Sequence, residues 1–306
     1  MRVKGEPGKI HCSVLLDEVL RYLEPQDGKV YADGNLGMGG HSEAILERSG
    51  PGGTVIGFDW DRDALSLARK RLAGFGDRIQ FVHDNFANLK MWLAKLKISA
   101  IDGLLLDLGL SSYQLDESGR GFSFQGSQPL DMRMDERGEV TAAHLVNTAS
   151  QEELADIFYY YGEEKQARRI ASFIIESRKE KEITRTDELV EIVQKAVPKK
   201  FRPKKIHVAT KVFQGLRIAV NREFENLEKI LVDGAALLNP GAVFCVISFH
   251  SIEDRLVKRA FNRDINLQVL TKRPVAPSSL ECSENPRARS AKLRAAKKLR
   301  LDRGET

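Results

Sequence analysis

The chain has 306 residues, 42% of them apolar and 30% charged, with a formal net charge of +5. That length suits one large domain or two smaller ones of ordinary globular composition. No stretch nears the ~18 apolar residues that span a bilayer, and Met1-Arg2-Val3-Lys4-Gly5-Glu6-Pro7 lacks the apolar segment of a secretory signal. Membrane partners are therefore not expected, and the cytoplasm is the expected location. Cys12, Cys245 and Cys282 are far apart and form no CxxC pair, which speaks against disulfides and a zinc site; no metal is expected.

Taken in order, Ser13 to Leu23 reads as an amphipathic helix with Val14, Leu15, Val19, Leu20 and Leu23 on one face, ended by Pro25 and Gly28. Val30–Ala32 is the first strand, followed by the glycine-rich run Asp33 to His41 and a helical pattern from Ser42 to Arg48. Thr54–Phe58 is the second strand and ends at Asp59; Asp61 can cap the next helix, through Leu72. Ile79–Val82 is the third strand, with a helix from about Phe86 to Leu96. Asp102–Leu106 is the fourth and ends at Asp107. Short apolar strands alternating with helices imply an α/β fold, doubly wound around a mostly parallel sheet.

The next clear strand is Ala242–Ile247, after Asn239-Pro240-Gly241. The 134 residues between Asp107 and Ala242 far exceed the dozen or so a crossover needs. An inserted all-helical unit is expected at 113–207, leaving 1–112 and 208–306 as a discontinuous domain. Ser150-Gln151-Glu152-Glu153 is a capping box. Glu164 to Arg178 and Thr186 to Val197 read as helices, Pro198 and Pro203 interrupt, and Val208 to Leu231 reads as one long helix.

The charge is uneven. Residues 272–306 carry ten Lys/Arg against four acids, so residues 1–271 are close to neutral. A second stretch, Ile192 to Lys211, holds seven basic residues and no acid. Localised basic segments attract polyanions; a solvated loop and tail are the plainer alternative.

The Asp33–His41 loop has Gly34, Gly37, Gly39 and Gly40 where doubly wound folds bind nucleotides. Ser42 replaces the last glycine of a G-x-G-x-x-G fingerprint, and Asp33 would repel a pyrophosphate. A nucleoside without phosphates fits better, S-adenosylmethionine being the commonest. Asp59 suits ribose hydroxyls, and Asp84-Asn85-Phe86 suits an adenine, with a ring contact from Phe86. Asp107 to Gln114 follows the fourth strand, where such folds place reacting groups. Arg120-Gly121-Phe122-Ser123-Phe124 and Pro129 to Asp135 form a long loop, suited either to an unstacked base and its phosphate or to packing the insertion. His250 could contact a base, accept a proton or simply start a helix. Ser251 lacks the G-x-S-x-G of a hydrolase elbow.

These segments, together with Tyr161-Gly162-Glu163-Glu164, Ala209-Thr210-Lys211, Arg217 to Glu223, Ile247 to Arg255 and Asn285 to Ser290, resemble one family over nearly the whole chain. It is the bacterial 16S rRNA cytosine-N4 methyltransferase family (RsmH, also called MraW). The resemblance implies a class I methyltransferase fold with an inserted helical domain, S-adenosylmethionine as donor, and a decoding-centre cytidine of the small ribosomal subunit as acceptor. It places cofactor contacts on Gly39, Gly40, His41, Asp59, Phe86, Asp107 and Gln114, to which the loop reading adds Asp33. Asp107, Ser111, Ser112 and His250 are the candidate catalytic residues. The chain departs from the family at Asn35, where Thr is frequent, at Met38, where Gly is common, and at Tyr113, where Pro is frequent. The basic segments would track rRNA phosphates, and a homodimer is an assembly open to the chain. A nicotinamide-dependent oxidoreductase would need the missing glycine. A non-catalytic RNA-binding module would not need an acid-lined crevice.

Overall fold

The computed structural model describes residues 13–116 and 118–300, without the side chains of Ser112 and Asp116. Those residues form two compact units. The first comprises the described residues up to Asp59, then Asp63–Gly109 and the described residues from Lys229 onward; the second comprises Trp60–Arg62 and Leu110–Glu228.

The first unit opens with α1 (Leu16–Leu23), which buries Val19, Leu20 and Leu23. It starts later than the apolar pattern implies. Leu15 takes a left-handed conformation (φ 53°), and its N–H donates to Glu281 Oε1 at 2.7 Å. Then come β1 (Val30–Asp33), α2 (Gly40–Arg48), β2 (Thr54–Asp59), α3 (Arg62–Arg71), β3 (Ile79–His83), α4 (Leu89–Lys95) and β4 (Ile101–Asp107). These strands are parallel and largely buried. Burial on both faces is why they read as unbroken apolar runs rather than as alternating ones.

The second unit holds α5 (Ser112–Asp116), α6 (Ala142–Thr148), α7 (Gln151–Asp156), α8 (Ala167–Glu180), α9 (Thr186–Ala196), α10 (Thr210–Asn221) and the start of α11 (Glu223–Leu237). The capping box is present: the Glu153 N–H donates to Ser150 Oγ and the Ser150 N–H to Glu153 Oε2. A π-helical turn, Ile157–Tyr161, follows α7. The core gathers Leu130, Met132, Val146, Leu154, Phe158, Ile170, Leu189, Val212 and Leu216. A side chain the size of Phe158, fully buried, contributes roughly 1.5–3 kcal/mol. Because α10 feeds this core, the second unit runs to Glu228 rather than to 207.

The expected single helix Val208–Leu231 is two helices. Arg222 adopts φ 50° between α10 and α11. The break is held by the Arg217–Glu223 ion pair and by Asn221. Asn221 accepts from the Met134 N–H and donates to the carbonyls of Met132 and Arg217, each within 2.8–2.9 Å.

After α11 the chain forms β5 (Leu238–Ser248), α12 (Ser251–Arg263), β6 (Leu267–Val269), α13 (Ser279–Glu284) and β7 (Lys292–Lys298). The strand order is β3-β2-β1-β4-β5-β7-β6, with β5 parallel to β4, and β7 antiparallel to both β5 and β6. The bulge between Ile101 and Gly103 lets β5 begin before Pro240 and Gly241. Strand β7 corrects the reading of the C-terminal segment as a phosphate-tracking tail. Leu293, Arg294, Ala295 and Ala296 are buried in the sheet, and Arg294 Nε donates to Asp254 Oδ1 at 2.6 Å. Arg303 lies outside the described residues.

Candidate active site

In the order β3-β2-β1-β4, the chain leaves β1 toward β2 on one side and later returns to β4 on the other. That makes the C-terminal ends of β1 and β4 a topological switch point, where open α/β sheets bind ligands. Asp33, Asp59 and Asp107 are the last residues of β1, β2 and β4.

The glycine loop is fastened at both ends. The Leu36 N–H donates to the Phe58 carbonyl and the Gly37 N–H to Asp59 Oδ2, both at 2.8 Å. Asp33 Oδ2 accepts from Ser42 Oγ at 2.7 Å, and its Oδ1 from the Asn35 N–H at 3.2 Å. With 1% exposure, Asp33 acts as the latch of the loop. Burial pushes its carboxyl above the usual carboxylate range, opposed by His41 and by the hydrogen bonds from Ser42 and Asn35. Gly39 caps α2 at φ 84°. A Cβ there would lie 2.9 Å from Leu72 Cδ1, and one on Gly40 only 2.1 Å from Ser13 Oγ. At Gly39 the positive φ favours glycine, and at Gly40 a side chain would have to displace the Ser13 hydroxyl.

His41 is buried at the start of α2, its Nε2 3.6 Å from Asp107 Oδ2. Both of its ring nitrogens, Asp107 Oδ1 and Asn35 Oδ1 are buried without a hydrogen-bond partner among the described residues. A buried polar atom left so costs roughly 1–3 kcal/mol, and four of them on one rim are what a polar ligand satisfies. The first N–H groups of α2 have no acceptor within their own helix and suit a carboxylate, and Asp59 suits vicinal hydroxyls. These donors and acceptors fit the amino-acid and ribose portions of S-adenosylmethionine.

Phe86 is buried beside this rim. A Cβ on Gly34 would meet Phe86 Cβ at 3.0 Å and Leu106 Cδ2 at 2.4 Å. Its two polar neighbours make local hydrogen bonds. Asp84 accepts from Asn88 Nδ2 and Trp92 Nε1, at 2.9 and 2.7 Å, and Asn85 Oδ1 accepts from the Ala87 N–H. Both polar side chains are thus engaged in starting the helix that follows β3.

His250 is the N-cap of α12. Its Nδ1 accepts from the Glu253 N–H at 3.4 Å, and its Nε2 lies 3.2 Å from Glu253 Oε1. Glu253 is buried and also accepts from the Phe249 N–H. The helix-start reading describes this histidine.

In the second unit, the Ser111 N–H donates to Gln114 Oε1 and Ser111 Oγ accepts from the Gln114 N–H, closing the first turn of α5. The side chain of Ser112 is outside the described residues. Gln114 Nε2 donates to Asp61 Oδ2 at 2.9 Å, and Arg120 Nη2 pairs with the same oxygen. Arg120 also donates to the carbonyls of Arg133 and Met134. It is 8% exposed and Phe122 6%, so the Arg120–Phe124 segment packs the second unit instead of presenting a base platform. The sequence reading did not assign Ser42 and Asn35 as partners of Asp33, and it took Asp61 for a helix cap without its partners Gln114 and Arg120.

A seven-stranded sheet in this order, its last strand reversed, with an acid ending β1, β2 and β4 around a glycine loop, defines a class I methyltransferase. The chain belongs to the MraW methylase family, whose model matches residues 8–299. S-adenosylmethionine is the cofactor. The chain is 55% identical over 291 residues to the ribosomal RNA small subunit methyltransferase H of Desulfotalea psychrophila, covering 95% of this chain and 99% of that one. Proteins of the same description from Geotalea daltonii and Finegoldia magna are 50% and 44% identical over 94% of this chain and 98% of theirs.

Proposed function

We propose that this protein methylates the N4 exocyclic amine of a decoding-centre cytidine in 16S rRNA of the small ribosomal subunit. The observation that carries this reading is the rim where Asp107 Oδ1 and the His41 ring are buried without hydrogen-bond partners among the described residues. The relatives' shared description supplies the class of acceptor.

Bound S-adenosylmethionine supplies an activated methyl group. In this reading the α2 N-terminus and the Gly39-Gly40-His41 backbone hold its amino-acid portion. Asp59 would accept from its ribose hydroxyls, and Phe86 would pack against its adenine. Asp107 would accept an N–H of the target amine and so hold its nitrogen toward the methyl group, and the proton that the nitrogen gives up on methylation would pass to solvent. Positioning of this kind supplies most of the rate for a reaction that needs no strong base. The His41 ring lies beside the Asp107 carboxylate, 3.6 Å away. Asp33 keeps the loop in register. The roles of Ser111, Ser112 and Gln114 rest on the family motif, and His250 shapes the start of α12.

A cytidine in folded rRNA must leave its stack to be reached. Among the described residues no helix is long and apolar enough to cross a membrane, and the cytoplasm, where subunits are made, is the compartment of this reading. The test is methyl transfer to small subunits lacking the mark, with the modified nucleoside mapped by mass spectrometry. N4-methylcytidine at one site is expected; methylation at carbon-5 or on another base overturns the proposal. Sedimentation of the same samples shows whether the enzyme acts as a homodimer.

A further inference from the structure

Between α9 and α10 the second unit carries a loop whose residues Phe201 to His207 are all exposed. It contains Lys199, Lys200, Arg202, Lys204 and Lys205, with no acid from Ile192 to Lys211. Phe201 is 53% exposed, and Lys200 Nζ lies 4.9 Å from its ring centroid.

A single exposed aromatic residue is unremarked on most surfaces. This one is set in a loop that is pinned. Arg202 turns inward, donating from Nε to the Val197 carbonyl and from Nη2 to the Gln194 carbonyl, at 3.1 and 2.6 Å. Its charge thereby meets the C-terminal end of α9. At the other end the His207 ring stacks on Phe124, centroids 4.7 Å apart and planes 18° from parallel, and its Nδ1 accepts from the Ala209 N–H. Pro203 fixes a backbone angle between these anchors, and Pro198 one ahead of them. The conformational entropy of ordering a binding loop is therefore largely spent in folding. Four lysines and one aromatic face are left projecting on a shaped support.

We infer that this loop is a docking site for single-stranded RNA, with Phe201 stacking on an unpaired base and Lys199, Lys200, Lys204 and Lys205 taking the flanking phosphates. The inference rests on the reading of this chain as an RNA methyltransferase. Lysines interleaved with an aromatic side chain match a splayed RNA strand. An acidic protein surface would leave Phe201 without a stacking partner.

The experiment measures binding of the full-length protein to unmodified 16S rRNA and to whole small subunits by filter retention across a salt series. It uses Phe201→Ala, Phe201→Trp and the fourfold Lys199/Lys200/Lys204/Lys205→Ala variant. Phe201→Ala should weaken binding roughly 5- to 150-fold, the range for one stacked base, and Phe201→Trp should restore it. The fourfold variant should reduce the slope of log K against log salt by about 2 to 3, near 0.7 for each phosphate no longer neutralised. Affinity for S-adenosylmethionine should stay at the wild-type value in all three, as should the melting temperature. Unchanged affinity and slope overturn the inference. So does weakened binding to whole subunits with binding to naked rRNA intact, which would make the partner a ribosomal protein. Wild-type protein that binds rRNA in this pattern but transfers no methyl group would overturn the proposed function and leave the docking site standing.

Discussion

The His41 imidazole and the Asp107 carboxylate face each other at 3.6 Å, Nε2 to Oδ2, one from the second residue of α2 and the other from the last of β4. The glycine loop is what brings them together, so its shape governs the orientation of the carboxylate as well as the pocket beside it.

Asp107→Ala is therefore expected to lower methyl transfer at least 100-fold, the scale seen when a transition-state contact is removed. The carboxylate ends a strand and supports no core packing, so the melting temperature should stay within a few degrees of wild type. Rate measurements on undermethylated subunits, paired with calorimetry, check both halves. Full activity in this variant would sink the assignment.

Asp33 couples the loop to pH. Its folded-state pKa is raised by burial, so between the ordinary carboxylate pKa and that raised value the native state binds more protons than the unfolded one. Stability of the ligand-free protein then falls as pH rises through this window. Asp33→Asn should flatten that part of the profile and stabilise the ligand-free protein near neutral pH. It should also weaken binding of the cationic donor. Urea titrations from pH 3.5 to 8 test the sign; an unchanged profile refutes it.

Gly39→Ala should cost about 1–3 kcal/mol, since it puts a side chain at φ 84° and pushes its Cβ against Leu72. The strain relaxes most readily by moving the loop, so the donor affinity should fall about tenfold or more, for roughly 1.4 kcal/mol per decade. Isothermal titration with S-adenosylmethionine reads this directly.

Arg120→Met removes the cationic partner of Asp61, 1% exposed, and leaves that buried carboxylate with neutral partners such as Gln114 Nε2. A loss of about 3–5 kcal/mol is expected. The double variant Asp61→Leu/Arg120→Met should recover much of it, because exchanging both charges for apolar groups removes the desolvation penalty. Denaturant unfolding of the single and double variants decides; equal losses in both would contradict the account.

The parallel half of the sheet was legible because strands covered on both faces leave continuous apolar runs, and Asp59 and Asp107 stood out as the acids that end them. Strand β7 was hidden by composition. Lys292-Leu293-Arg294-Ala295-Ala296-Lys297-Lys298 reads as a basic tail, and nothing local shows that two alanines lie inside a sheet or that Asp254, forty residues earlier, neutralises Arg294. The same non-locality left the reading of Arg120 and Phe122 open between two alternatives. Arginine beside aromatics describes an RNA surface and a packed ion pair equally well until Asp61 is found opposite. Arg222 escaped because a left-handed residue between two strong helical patterns carries no marker when it is not glycine.

Among the described residues strand β6 pairs with β7 and with no other strand, and β7 lies along β5. On a translating ribosome β5 emerges well before its neighbour, with α12, β6 and α13 still to be made. Its outer edge waits as an open row of peptide groups, the kind of edge that invites pairing with other chains. The sheet is thus completed out of synthetic order, its penultimate position in space filled by its last strand in time.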